Sequence, residues 1–382
     1  MDYKLRQQKL AAAMRMQGID ACIISIPVNL YYLCGTIFDG YFYLDADANG
    51  YCFIRRGAHI DGEVCYNIRK PEQISEILGE QNANMPQTVM LEDDYINVQT
   101  YNRLAKVFDN ATIKSDIIRS VRSVKTDFEV IQLAESARIH AEVYRQIPSV
   151  YRSGMTDLAF AIELERLVRT HGNLGVFRSF GTNMEIHMGS VLAGGNAGEA
   201  APYDFALGGK GVHASCPIGA NGTVIADGMT VAVDINGNFT GYISDMTRIF
   251  CVGNLPDAAT DSHKLSREVQ HEIASLAKPG AVCGELYERA IAMIKASKFW
   301  DCYMENVQGS RFVGHGLGLE INEPPVLFGG SRAVLEENMC FALEPKFIIP
   351  GVGAVGVENT YVVRECGCEK LTLCEEGIVP LG

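Results

Sequence analysis

The segment Val231-Ala-Val-Asp234-Ile-Asn-Gly-Asn-Phe-Thr-Gly-Tyr-Ile-Ser-Asp245-Met-Thr-Arg248 constrains the chain more than any other. Its first residues are an apolar strand, Asn236-Gly237 is a turn signal, and Tyr242 to Ile249 resumes strand character. The pattern predicts a hairpin that sets Asp234 and Asp245 side by side. Asp234 ends an apolar run, where a carboxylate is costly without a counter-charge. Alone, the two acids could also be turn or capping residues.

Three further segments narrow the choice. Gly314-His315-Gly316 flanks an imidazole with glycines, so nothing bulky shields the ring. Phe341-Ala-Leu-Glu344-Pro345 ends an apolar strand on an acid, and Glu358 lies inside the β-branched run Val355 to Val363. A surface location explains Glu358 poorly, because both flanks are apolar. Four carboxylates and one imidazole form an oxygen-rich donor set that suits Mn²⁺, Co²⁺, Fe²⁺ or Zn²⁺. Four negative charges can neutralise two divalent ions, and a pair of such ions can activate water and polarise a carbonyl. Other motifs fall away. The glycines around His315 lack the third glycine of a dinucleotide loop, since Leu319 stands there, and Gly208-Gly-Lys-Gly211 lacks the ending of a phosphate loop.

Composition excludes several function classes. The 382 residues carry a formal charge of −13, which disfavours nucleic acid and an anionic membrane as partners. No run approaches the length of a spanning helix, and the polar N-terminus has no apolar signal region. The twelve cysteines are scattered, as in reduced proteins, so a cytoplasmic location is expected. Cys366-Gly-Cys368 with Cys374 falls one ligand short of a zinc clip.

Along the chain, residues 4–17 read as an amphipathic helix. Ala21 to Ile26 reads as a buried strand, and Asn29 to Gly35, Tyr41 to Leu44 and Gly50 to Ile54 as further strands. More alternation follows over 86–118. The first third is therefore α/β. A long helix is expected over Asp127 to Val150, with Phe128, Ile131, Ala134, Ala137 and Ala141 at helical spacing. A second helix starts at the capping pair Thr156-Asp157 and runs to Arg169. Residues 189–222 are glycine-rich with little periodicity, and so long an irregular stretch is more often functional than accidental. Helices return over 265–277 and 284–296. The boundary falls near 122–126, giving a domain over 1–124 and another over 125–382.

In this order, the four acid- and histidine-bearing segments resemble the metal-binding motifs of the M24 metallopeptidases, the pita-bread family of Xaa-Pro aminopeptidases, prolidases and creatinases. The aspartate pair eleven positions apart, the Gly-His-Gly-x-Gly-Leu segment, Glu344-Pro345 and Glu358 fill all five ligand positions with the family's residue types. Asn29 to Gly35 resembles the N-terminal domain of the creatinase and prolidase branch, and Val124-Lys125 with Glu129 resembles its domain junction. The resemblance implies an α/β N-terminal domain followed by an α+β pita-bread domain. It also implies two divalent metal ions (Mn, Co, Zn or Fe) held by Asp234, Asp245, His315, Glu344 and Glu358, and a homodimer, as in many members. The expected reaction is cleavage ahead of proline by a metal-activated hydroxide, with a free oxygen of Glu344 carrying the proton.

The sequence also departs from the family. Peptidase members usually carry a second histidine seven positions after the first, where Asn322 stands, and an arginine where Gly356 stands. A further active-site histidine is replaced by Pro217, leaving His213 as a candidate catalytic group, and His187 with Asn322 as candidate substrate contacts. These departures keep two alternatives open. One is a creatinase-like hydrolase or lyase acting on a small non-peptide substrate. The other is a non-catalytic pita-bread binding module.

Overall fold

The computed structural model describes residues 2–57, 60–81, 85–109, 111–181 and 187–382. They form two compact units, Met1–Arg122 and Ser123–Gly382. No helix among them is long and apolar enough to cross a membrane.

The first unit runs α1 (Tyr3–Met16), β1 (Ala21–Ile24), α2 (Pro27–Cys34), β2 (Asp39–Asp45), β3 (Gly50–Arg56) and β4 (Val64–Asn67). It continues with α3 (Gln73–Glu80), β5 (Thr88–Leu91), α4 (Val98–Val107), β6 (Thr112–Lys114) and α5 (Ile118–Ser123). Its mixed sheet has the order β4-β3-β2-β1-β5-β6. The strand expected over 29–35 is instead the helix α2. Pro27 fits the first turn, where its missing N–H costs nothing, and Gly35 ends the helix at φ 72°. Glu92 accepts from the backbone N–H groups of Ser25 (2.6 Å) and Ile26 (3.0 Å) and from the Asn29 amide (2.8 Å), so a carboxylate from elsewhere satisfies donors at the helix start. The aromatics Tyr31 and Tyr32 carry β-propensity, which the helix-start and helix-end signals override.

The second unit opens with α6 (Asp127–Tyr144), α7 (Ile147–Val150) and α8 (Asp157–Thr170). Thr126 and Glu129 form a reciprocal capping box at the head of α6. The helix stops at Tyr144, short of the expected Val150, because the Pro148 ring conflicts with a helical carbonyl four residues back. Its buried face also differs from the apolar spacing. Val130, Leu133, Ala137 and His140 point inward, while Ile131 is 62% exposed. Polar groups serve on that inner face because the partner strands offer hydrogen bonds: Ser136 Oγ donates to Gly237 O (2.6 Å) and accepts from Phe239 N (3.0 Å).

Next come β7 (Gly189–Ala193), a short 3₁₀ turn (Gly194–Gly198), β8 (Thr230–Ile235), β9 (Gly237–Asn238), β10 (Ile243–Ser244) and β11 (Thr247–Cys251). The chain then passes through α9 (Asp257–Leu276), α10 (Cys283–Lys295) and α11 (Met304–Val307). Strands β12 (Phe312–Gly316), β13 (Glu323–Phe328), β14 (Cys340–Leu343), β15 (Lys346–Ile349), β16 (Gly353–Gly356), β17 (Asn359–Arg364), β18 (Gly367–Lys370) and β19 (Val379–Pro380) complete it. Two larger sheets carry this unit, β19-β11-β8-β7 and β13-β12-β14-β17-β18, with β9–β10 and β15–β16 as separate two-stranded ladders. The irregular stretch after Gly198 is pinned by polar bonds rather than by strand pairing. Buried Asp157 accepts from Gly222 N (2.8 Å) and from Asn196 Nδ2 (3.0 Å), and Asn196 Oδ1 accepts from Lys210 N (3.0 Å).

Helix α6 lies against the aspartate-bearing hairpin. Tyr144 Oη accepts from Ile235 N (3.0 Å) and donates to Met246 O (2.8 Å), tying both arms. Asn236-Gly237 is not the turn that the sequence suggests. Gly237 pairs with Ser244, so the chain reverses beyond it. At Gly237 a Cβ would sit 2.4 Å from His140 Nδ1, so only glycine admits the ring. Burial holds the His140 imidazole down at about 3, from an ordinary 6.5, so it is neutral in the folded protein. Between those values the unfolded chain binds a proton that the native state does not. Stability therefore falls as pH drops from about 6.5 towards 3, by at most about 1.4 kcal/mol per pH unit for this one group. Urea midpoints measured across that window should fall less steeply for His140→Gln than for the wild type. Equal slopes would show that His140 does not contribute.

Candidate metal centre

The hairpin delivers the first two acids in register. Strand β8 pairs antiparallel with β11, Asp234 opposite Thr247, which places Asp245 just before β11 and beside Asp234. Thr360 locks Asp245 through two backbone bonds, accepting from Asp245 N (2.8 Å) and donating to Asp245 O (2.9 Å). Strand β12 brings His315 opposite Ala342 of β14, and β14 runs out directly into Glu344. The flanking glycines are obligatory. A Cβ on Gly314 would lie 2.4 Å from Ala342 O, and one on Gly316 2.3 Å from Pro324 O. Glu358 immediately precedes β17, whose residues pair with β14. Its Oε2 accepts from Thr247 Oγ1 (2.7 Å).

The five residues named from the sequence thus meet in one place. Asp245, His315 and Glu358 offer ligand atoms within 4.8 Å of one another, as do Asp234, Glu344 and Glu358. His315 Nε2 lies 3.1 Å from Glu344 Oε1, 3.7 Å from Asp245 Oδ2 and 3.9 Å from Glu358 Oε1. Burial disfavours a charged His315 ring, but the Glu344 hydrogen bond and the surrounding acids outweigh it and lift its pKa to about 10. Asp245 is pushed up to about 7, by burial first and then by the charge of Asp234. Three carboxylates and an imidazole converging on one point form a donor set that fits a divalent ion.

One member of the cluster went unnoticed in the sequence. Lys346, fully buried at the start of β15, donates to Asp234 Oδ2 (2.8 Å), Glu344 Oε2 (2.7 Å) and Glu358 Oε2 (3.0 Å). A signal was present, because Lys346 opens the apolar run Phe347-Ile-Ile, where a bare ammonium costs as much as a bare carboxylate. Lys346 also removes the free oxygen expected of Glu344. Burial tends to raise that carboxyl, yet the Lys346 charge and the His315 hydrogen bond bring it to about 2, which makes it a weak proton acceptor.

The remaining candidates lie differently. His213 is exposed on a surface turn, and its Nδ1 is engaged by Ser215 Oγ (2.8 Å) and Ser215 N (3.1 Å); no bond joins it to the acids. Asn322 is engaged by Ser179 and Phe180. Its Oδ1 accepts from Phe180 N (2.6 Å) and Ser179 Oγ (3.1 Å), and its Nδ2 donates to Phe180 O (3.0 Å). His187 is exposed just ahead of β7, whose Ser190 pairs with Asp234; residues 182–186 before it lie outside the described ones. Gly356 faces Lys346 across the β15–β16 hairpin.

The loop after His315 is held by a buried ion pair. Lys125 Nζ lies 2.8 Å from Glu323 Oε2, and Glu323 Oε1 accepts from Leu319 N (3.0 Å) and Glu320 N (3.1 Å). Breaking a buried pair from one side strands a charge, at a cost of about 3–5 kcal/mol. Lys125→Met should therefore lower the urea unfolding free energy by about that amount, and Lys125→Met with Glu323→Gln by less. A single variant as stable as the wild type would show that the pair carries no such weight.

Comparison with known proteins agrees with this geometry. Over 387 residues the chain is 24% identical to the Xaa-Pro dipeptidase of Pyrococcus furiosus, covering 98% of this chain and all of that one. It is 26% identical over 383 residues to the Xaa-Pro dipeptidase of Lactobacillus delbrueckii subsp. lactis, covering 95% of each. The solved Xaa-Pro dipeptidase of Bacillus anthracis superposes with a TM-score of 0.81 at 23% identity over the whole of both chains, which shows the pita-bread fold with its N-terminal domain. Residues 6–124 match the creatinase/prolidase N-terminal domain, and residues 132–365, with the centre described above, match metallopeptidase family M24. The chain belongs to metallopeptidase family M24, whose members imply divalent metal ions.

Proposed function

We propose that this protein is a metal-dependent peptidase of the Xaa-Pro dipeptidase or aminopeptidase kind, hydrolysing the bond ahead of proline in small peptides. The observation that carries the proposal is the convergence of Asp245, His315, Glu344 and Glu358, brought in by separate strands of the M24 fold, with Asp234 beside them. Those side chains would hold divalent metal ion, of the Mn, Co, Zn or Fe type. When bound, the metal supplies a Lewis acid that polarises the scissile carbonyl and lowers the pKa of water.

The chain's own groups set that chemistry up. Asp245 is clamped by Thr360 through its backbone, and Thr247 Oγ1 donates to Glu358 Oε2, so two of the donors are fixed before any ligand arrives. Such preorganisation spares the cost of arranging donors during the reaction. We assign His187 a substrate-facing role. It stands at the head of the strand paired with Asp234, and no hydrogen bond holds its ring among the described residues. The peptide reading is favoured over a small non-peptide substrate because relatives matching nearly the whole chain are Xaa-Pro dipeptidases.

The test is a panel of Xaa-Pro and Xaa-Ala dipeptides, assayed with protein stripped by chelator and reloaded with Mn²⁺ or Co²⁺. Hydrolysis of Xaa-Pro should appear only after reloading. Asp245→Asn and His315→Ala should each lose metal together with at least about a hundredfold in turnover. Metal-independent hydrolysis, or unchanged metal content in both variants, would refute the assignment.

A further inference from the structure

We infer that the Lys346 ammonium is a built-in cation filling one half of the acidic cluster, so that each chain takes a single divalent ion, on the Asp245–His315 side, rather than a pair. The inference rests on the proposed reading of the cluster as a metal site. Its ground is the way the shared carboxylates are divided. Glu344 gives Oε2 to Lys346 and turns Oε1 to His315, and Glu358 does the same. Asp234 contributes Oδ2 to the lysine, while Asp245 turns Oδ2 to the histidine. The cluster therefore has two sides. One is a set of three oxygens around an ammonium, and the other is an imidazole with three oxygens that the lysine does not use.

The lysine side has no room for a further cation. Three ammonium hydrogens meet three carboxylate oxygens at 2.7–3.0 Å, so the donors of Lys346 are saturated. A metal bound by those same oxygens sits about 2.0–2.2 Å from each. It would then lie in the hollow that Nζ fills and face a like charge at contact distance. Charge points the same way. Four carboxylates carry −4, which Lys346 and one divalent ion reduce to −1, and a second ion would overshoot to +1.

Nor is the lysine free to slide away with its strand. Lys346 is fully buried and pairs with Gly356, where a Cβ would lie 2.7 Å from Pro345 O and 3.0 Å from Lys346 Cα. Ser266 Oγ donates to Pro345 O (2.6 Å), which fastens the same backbone to α9. An ammonium has no open coordination position. It can balance charge and hold three acids in place, but it cannot take up water as a ligand, so the lysine side contributes architecture and the histidine side the ion.

The experiment counts metal. Full-length protein is stripped with chelator, titrated with Mn²⁺ by calorimetry, desalted and analysed for bound metal; electron paramagnetic resonance then distinguishes isolated Mn²⁺ from a coupled pair. Wild type should hold one ion per chain with the spectrum of isolated Mn²⁺. Lys346→Met, which leaves three acids uncompensated, should hold two. Lys346→Met with Asp234→Asn, which relieves that charge and guards against failure of the single variant to fold, should return to one. Two ions in the wild type would overturn the inference, whatever the variants do, and so would a folded Lys346→Met that still holds only one. Failure of the peptidase reading looks different: one ion per wild-type chain without Xaa-Pro hydrolysis sinks that reading and leaves the metal count standing. Two ions with hydrolysis does the reverse. A wild type that binds no Mn²⁺ overturns both.

Discussion

Four carboxylates gathered inside an apolar domain repel one another and lose their hydration, and the rest of the second unit is arranged around that problem. Buried charge is tolerable only when it is paired and hydrogen-bonded. Here the compensation within the chain comes from Lys346 and His315, placed on opposite sides of Glu344 and Glu358. Backbone supports extend the pattern outwards. Arg248, itself buried, donates to the carbonyls of Thr247 and Glu358 and to Asn359 Oδ1, so the strands carrying the acids are cross-tied through main-chain oxygens. Gln270 of α9 binds the carbonyls of Leu343 and Val357, next to Glu344 and Glu358. The acids hold their positions because their neighbours in sequence are fastened to one another.

Much of this was legible in the sequence because burial leaves a mark on charged residues. Asp234, Glu344 and Glu358 each interrupt an apolar run, and His315 stands between two glycines that close strand contacts require. Those signals are local and independent of the partner. Lys346 leaves the same mark, since it opens the apolar run Phe347-Ile-Ile. A cation in an apolar string needs its acids just as an acid needs its cation.

What could not be read was the work done by groups whose partners are remote in the chain. The α2 segment carries strand-like aromatics, and its helix is favoured by Pro27, Gly35 and a carboxylate 63 positions beyond Asn29. The hairpin was expected to reverse at Asn236-Gly237, yet that pair continues into strand against Ser244 because His140 needs the space above Gly237. The inward face of α6 is polar in part for the same reason, since Ser136 and His140 bond to the hairpin rather than to water. Apolar periodicity finds a face that is buried by hydrophobic contact. It does not find one buried by hydrogen bonding.

Asn322 serves as a structural clasp. A carboxamide presents an acceptor and a donor side by side, spaced as in a peptide unit, whereas the two nitrogens of an imidazole point away from each other. Asn322 uses both ends on Phe180, imitating a short stretch of β-ladder without a strand. The segment around Ser179 is thereby clasped to the chain seven residues beyond His315, with Ile321 N adding a bond to Arg178 O (2.8 Å). A segment stapled in this way is part of the scaffold. It behaves like a plate riveted at two points, whose position is set by the rivets and not by its own pairing into a sheet.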